Sequence, residues 1–175
     1  MALPVSETFR FCPSCGSKQD TIGVSPFRCD DCNFGFYFSP ATAVGAIIVN
    51  GGGEMLLLIR ARDPGKGKYG LPGGFVDAGE TLEASLIREV YEETALTVTE
   101  FEYLCSFPNS YTYCDVTIDV LDAFYVCEVD SFDDLQAQPD EVDSFYIGFL
   151  NGDVLSQMAF ESNRRAIEAF LARSK

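Results

Sequence analysis

The chain has 175 residues, enough for one well-packed domain with a small appendage, and 47% hydrophobic content with 15 Phe and 8 Tyr marks it as globular. Its formal charge of −15, from 12 Lys and Arg against 27 Asp and Glu, excludes a broad basic face for nucleic acid. It has no histidine, which excludes His bases, Ser–His and Cys–His nucleophile pairs and His metal ligands. No apolar run approaches the roughly 20 residues of a membrane span. The start MALPVSETFRF lacks the basic and apolar regions of a secretory signal, so the seven cysteines read as thiols or metal ligands and cytoplasm is the expected compartment.

Residues 1–40 are short-turned and aromatic, and they carry Cys12-x2-Cys15 and Cys29-x2-Cys32 with 13 residues between the pairs. Each CxxC brings two thiolates to one ion from a tight turn, and Gly16 follows the first pair where such a knuckle needs it. The doubled spacing predicts a four-cysteine structural zinc site, closed because four thiolates leave no open position. Spacing alone does not separate zinc from iron. Neither pair sits between a strand and a helix, which argues against a redox CxxC. The aromatic residues nearby are too few for a core, so metal binding is expected to fold this segment. Arg10, Lys18 and Arg28 face four acids there, so nucleic-acid binding by the segment is not expected.

From Thr42 the apolar runs lengthen. AVGAIIVN and EMLLLIRA read as strands around the GGG turn at 51–53. RDPGKGKYGLPGG reads as loop and, with Arg60, holds a basic island of Arg60, Arg62, Lys66 and Lys68. A helix is expected from Thr81 to about Ala95, with Asp77 and Glu80 at capping-box spacing. TVTEFEYLCSF and DVTIDVLDAFYVCEV follow as strands, then an acidic loop, the strand SFYIGFL, and a helix from Ser162, a plausible N-cap, to Ser174. Cys105, Cys114 and Cys127 lie in strand-like runs and are expected to pack in the core. The interleaving of strands and two helices gives an α/β (α+β) domain with mostly antiparallel pairing.

In the first helix Leu86, Val90, Ile87, Tyr91 and Ala84 form one apolar sector, expected to face the sheet. Glu89, Glu92 and Glu93 crowd the adjacent sector, where like charges repel by a few tenths of a kcal/mol per pair. A solvated acidic face is the plain alternative. The Gly-rich loop and basic island just upstream favour another reading: clustered carboxylates suit Mg2+ or Mn2+, which bind a few carboxylates together with substrate phosphates.

Gly74, Glu80, Arg88-Glu89-Val90, Glu92-Glu93 and Leu96 stand at the spacing of the Nudix box, G-x5-E-x7-R-E-U-x-E-E-x-G-U. The chain thus resembles the Nudix hydrolase superfamily, with one departure, Ala95 in place of the second glycine. The resemblance implies an α/β/α sandwich with a mixed, largely antiparallel sheet over 41–175, preceded by a small zinc ribbon over 1–40. It implies that Glu89, Glu92 and Glu93 ligate Mg2+ (or Mn2+), with Glu80 nearby and Arg88 orienting the glutamates. Glu141, in PDEVDSFYIGFL, matches a downstream glutamate that often completes the metal shell; a solvated acidic loop is its alternative.

The superfamily hydrolyses nucleoside diphosphates linked to another group. The implied activity is Mg2+-dependent cleavage of a small-molecule nucleotide such as NADH or ADP-ribose, with Glu93 or Glu141 taking the proton of the attacking water. Arg60, Arg62, Lys66 and Lys68 would hold phosphate oxygens, or form a solvated loop. A ribbon ahead of a Nudix domain resembles the NADH pyrophosphatase branch, whose relatives are often homodimers and carry SQPWPFPxS after the box. Here YLCSFPNSYTY keeps Phe107, Pro108 and Ser110 and lacks the front half, which weakens the case for NADH. Phe107, Tyr111 and Tyr113 would stack on a base, or simply pack on a strand. Two other functions stay open: cleavage of nucleoside triphosphates, and a non-catalytic nucleotide-sensing module.

Overall fold

The computed structural model describes residues 2–173. Ser174, the last residue of the expected C-terminal helix, lies outside them. The fold is α/β and divides into two units. No described helix is long and apolar enough to cross a membrane.

The first unit runs to Ala41 and takes in Ser110–Val120. Leu3–Pro4 (β1) pairs in parallel with Val116 and Thr117, and Phe27–Arg28 (β2) pairs antiparallel with Gly35–Phe36 (β3). Phe27 is fully buried, and Phe9 packs on it with ring centroids 5.5 Å apart and on Phe38 at 4.8 Å. Ser110–Val120 turns at Cys114 and Asp115, whose φ values of 48° and 61° are those of a two-residue hairpin loop matched to strand twist. Cys114 is exposed at this turn rather than packed in a core, because it sits where the hairpin reverses.

In the second unit Ala41–Ile48 (β4) and Met55–Arg60 (β5) are joined by the glycine turn. Tyr69–Gly70 (β6) and Val142–Gly148 (β9) pair antiparallel with β5. Val98–Tyr113 (β7) and Val116–Val129 (β8) form the long hairpin whose tip belongs to the first unit, and β8 pairs with β4. Buried residues alternate by face: Val44, Ala46, Ile48 and Leu56 join Leu86 and Val90 of the first helix, while Ile47, Met55 and Leu57 join Ala166 and Ile167 of the last. Burial on both faces explains why these strands read as unbroken apolar runs.

The helices are Leu82–Thr94 (α1), a short Gly152–Ser156 (α2) capped by Asn151, and Glu161–Arg173 (α3). The N-cap of α1 is Thr81, whose Oγ1 accepts from Ala84 N; Asp77 and Glu80 instead close a turn ahead of it. Ser162 is not a cap. It lies buried inside α3 and donates to Asp122 Oδ2 at 2.5 Å, an interaction invisible to local sequence reading. Cys127 is buried in the core, as expected, and Cys105 is half-buried.

Candidate active site

The loop before α1 is sewn to β4: Ala46 N donates to Pro72 O, Val44 N to Gly74 O, and Val76 N to Thr42 O. At Gly73 (φ 142°) a Cβ would lie 2.1 Å from Val44 O, so only glycine fits this close backbone approach. At Gly74 a Cβ would lie 2.7 Å from the carboxylate of Glu89. These two glycines let a helix carboxylate and a strand edge share one confined space.

The buried face of α1 comprises Ser85, Leu86, Val90, Glu93 and Thr94. Ile87 and Tyr91, expected to face the sheet, are 41% and 59% exposed, and Ala84 is exposed as well. The helix is rotated relative to its purely apolar sector because Glu93, only 4% exposed, goes inward. Its Oε2 accepts the backbone N–H of Gly73 at 2.7 Å. Burial pushes the Glu93 carboxyl up to about 8; the Gly73 bond opposes this, and the charges of Glu89 and Glu141 add to it. Burial likewise raises Glu89, against the pull of Arg88, and Glu92 and Glu141 push it further.

Arg88 organises the exposed side. Its Nε and Nη2 grip both oxygens of Glu80 at 2.8 Å each, a bidentate fork, and Nη1 donates to Glu89 Oε1 at 2.8 Å and Glu92 Oε2 at 3.2 Å. Nη2 also reaches Phe75 O at 3.2 Å. The guanidinium holds Glu80 down at about 2, below the usual carboxylate range.

The register of β5 on β9 shifts between Ile59 and Arg60, and beyond it Ala61 N donates to Glu141 O at 2.9 Å. This irregularity re-aims the strand end and places Arg62 Nη2 2.5 Å from Glu141 Oε1. Arg60 donates Nε to Pro64 O at 2.8 Å, lies over the Phe160 ring, and is near enough to Glu93 to lower its pKa. Lys66 and Lys68 are exposed on the loop. Phe107 packs against Phe124, and the guanidinium of Arg165 covers its ring at 4.0 Å. Tyr111 and the exposed Tyr113 belong to the first unit.

The carboxylate set fits a hard divalent cation. All donors are oxygen, and the absent Cβ of Gly74 lets the Glu89 carboxylate lie against the loop backbone. The cysteine set fits a thiophilic ion. Its four Sγ atoms lie within 4.8 Å of one another, with Cys12–Cys32 and Cys15–Cys29 at 3.7 Å. Tetrahedral zinc with bonds of about 2.3 Å needs sulfurs roughly 3.8 Å apart. The two knuckles match: Gly16 N donates to Cys12 O and Asn33 N to Cys29 O, both residues being left-handed. Sequence reading found Gly16 and missed Asn33, whose short polar side chain tolerates the same conformation.

The family model described as the NUDIX domain matches residues 39–170. The chain belongs to the Nudix family. It is 37% identical over 112 residues to the NAD-capped RNA hydrolase NudC of Haemophilus influenzae, a match covering 59% of this chain and 42% of that protein. A 60-residue match, 48% identical, joins it to the ADP-ribose pyrophosphatase of Methanocaldococcus jannaschii, covering 34% and 35% of the two chains. The chain thus spans well under half the length of these curated relatives. Among solved structures, the Nudix domain of Shewanella oneidensis NrtR complexed with ADP ribose superposes with a TM-score of 0.64 at 27% identity, covering 78% and 90% of the two chains. A Nudix hydrolase from Nitrosomonas europaea, 21% identical with TM-score 0.64 and 91% and 88% coverage, shares the fold.

Proposed function

We propose that this Nudix chain is a Mg2+-dependent (or Mn2+-dependent) pyrophosphohydrolase that cleaves the diphosphate of a nucleoside diphosphate derivative, a dinucleotide such as NADH or ADP-ribose. The observation that carries the reading is a set of four ordered carboxylates, three of them on α1, with Arg88 pinning Glu80, Glu89 and Glu92 and the Gly73 N–H holding Glu93. When bound, Mg2+ supplies neutralisation of the diphosphate and activation of the attacking water. Glu89, Glu92, Glu93 and Glu141 are its proposed ligands.

The chain's own residues do the rest. Arg88 fixes the rotamers of three glutamates, so the donor set is ordered before substrate arrives. Arg60, Arg62, Lys66 and Lys68 offer cations to phosphate oxygens. Water adds to one phosphorus of the P–O–P bridge, and the bridging oxygen leaves on the other phosphate. The water's proton goes to Glu93 or Glu141. Phe107, proposed to stack on a base, has its ring covered by Arg165.

Residues 1–40 are proposed to fold around structural Zn2+ as a ribbon ahead of a Nudix domain at 41–175. By analogy with ribbon-bearing relatives a homodimer is proposed, which the protein's mass in solution tests. Substrate class is tested with Mg2+ and a mixed panel: NADH, NAD, ADP-ribose, NAD-capped RNA, nucleotide sugars, dinucleoside polyphosphates and triphosphates. Consumption of one diphosphate-linked compound by the wild type, and its sparing by Glu92→Gln, supports the reading. Release of pyrophosphate and a nucleoside monophosphate from triphosphates favours the triphosphatase alternative. Tight binding without turnover favours the sensor.

A further inference from the structure

The chain leaving the first knuckle turns two polar side chains onto the cysteine cluster. Residues 17–19 run back along residues 10–12: Cys12 N donates to Ser17 O at 2.8 Å, Gln19 N to Arg10 O at 3.0 Å, and Phe11 bridges Lys18 antiparallel. Alternation along this extended segment sends Ser17 and Gln19 to one side and Lys18 to the other. Gln19 is accordingly only 6% exposed, while Lys18 is exposed. Ser17 Oγ lies 3.2 Å from Cys15 Sγ and 3.3 Å from Cys29 Sγ, so one hydroxyl touches a sulfur of each knuckle. Gln19 Nε2 donates to Ser17 Oγ at 2.9 Å and to Ser17 O at 3.1 Å, and reaches Cys29 Sγ at 3.5 Å. A carbonyl and a thiolate only accept, so the amide nitrogen and not its oxygen faces them. With Ser17 Oγ accepting from that amide, its single proton is left for a sulfur.

We propose that Ser17 and Gln19 are positioning residues of the four-cysteine metal site, donating hydrogen bonds to the Cys15 and Cys29 thiolates. Four thiolates around one divalent ion leave two excess negative charges. Cys29 is buried, so water cannot disperse the charge on its sulfur, and the neutral donors of Ser17 and Gln19 do so instead. Gln19 acts partly through Ser17, whose hydroxyl it turns toward the sulfurs. Such outer partners orient the ligands and tune the affinity for the ion. This rests on the reading of the four cysteines as a metal site.

The test is Co2+ uptake by the full chain, read at the sulfur-to-cobalt charge-transfer absorption, which cobalt held by carboxylates does not give. Wild type is compared with Ser17→Ala, Ser17→Thr and Gln19→Met. A hydrogen bond lowers the energy of a sulfur lone pair, so its loss is expected to move the band to longer wavelength in Ser17→Ala and Gln19→Met. Competition with a chelator is expected to show Co2+ held about tenfold more weakly by each, the usual effect of removing such a partner. Ser17→Thr keeps the hydroxyl and should match wild type in both readouts. Weaker binding with an unmoved band would mark a packing effect and overturns the proposal, as does a Ser17→Thr that behaves like Ser17→Ala. Ser17 is only half-buried, so its two variants decide the matter even if Gln19→Met takes up no Co2+. Variants that all match wild type overturn the proposal and leave the metal site standing. A wild type without the band removes the metal site itself, and the proposal with it.

Discussion

Glu93 of α1 and Gly73 of the preceding loop are joined by a 2.7 Å hydrogen bond from the Gly73 backbone N–H to Glu93 Oε2. The bond explains how a carboxylate is tolerated on the buried face of the helix, and it fixes the loop to the helix across a gap of 20 residues. An unpaired carboxylate at this depth would cost several kcal/mol.

Gly73 and Gly74 separate fold from chemistry. Gly73→Ala places a Cβ 2.1 Å from Val44 O in a backbone region that alanine disfavours. It is expected to destabilise the protein by about 2–5 kcal/mol, read as a lower urea midpoint. Gly74→Ala crowds the Glu89 carboxylate instead. It is expected to retain most of the stability and to weaken Mn2+ binding about tenfold or more. Equal stability losses in the two variants would contradict this division.

The pH dependence of the fold follows from Glu93. Its carboxyl rises from 4.5 to about 8 on folding, so the native state holds a proton that the unfolded state gives up. Stability is then full below about 4.5 and falls as pH rises toward 8. At about 1.4 kcal/mol per unit the loss amounts to at most a few kcal/mol. In Mg2+-free buffer Glu93→Gln should raise the melting temperature at pH 8, and the gain should vanish near pH 4.5. Melting curves offset equally at both pH values would contradict it.

Ala95 ends α1 in the left-handed conformation, φ 59°, with its N–H bonded to Tyr91 O at 2.8 Å. Alanine pays a steric cost there that glycine does not, so Ala95→Gly should stabilise the protein by about 0.5–1 kcal/mol. Urea unfolding measures the difference. No change or a loss would mean that the extra freedom of glycine in the unfolded chain offsets the relief.

The ribbon should hold one metal ion per chain and depend on it. Cys12 and Cys29 are buried with Phe27 in a core of only three fully buried residues. Cys29→Ser should lose the ion, measured by mass spectrometry of the intact protein, and open the first 41 residues to protease. Resistance equal to wild type, with no ion bound, would contradict metal-dependent folding.

Much of this architecture is legible locally. The Nudix box places Glu80, Arg88, Glu89, Glu92 and Glu93 by spacing alone, and the paired CxxC motifs place four thiolates. What sequence spacing misses is set by partners distant in the chain. A helical wheel favours burying Ile87 and Tyr91, but Gly73 draws Glu93 inward and turns the helix. Ser162 reads as a cap until Asp122, 40 residues earlier, engages it. The pairing of Arg62 with Glu141 depends on strand register, and the hairpin turn at Cys114 and Asp115 lacks the glycine that usually marks one.

The central claim is that the carboxylate set around Glu93 carries out hydrolysis. It is tested most directly by the Mg2+-dependent turnover of wild type and Glu93→Gln on the diphosphate-linked compound that the wild type cleaves best. The account predicts a kcat lowered by about 10²–10⁴, the usual loss when a catalytic acid or base is removed, with KM within a few fold. Undiminished turnover by Glu93→Gln, or a wild type that cleaves no compound of the panel, would contradict it.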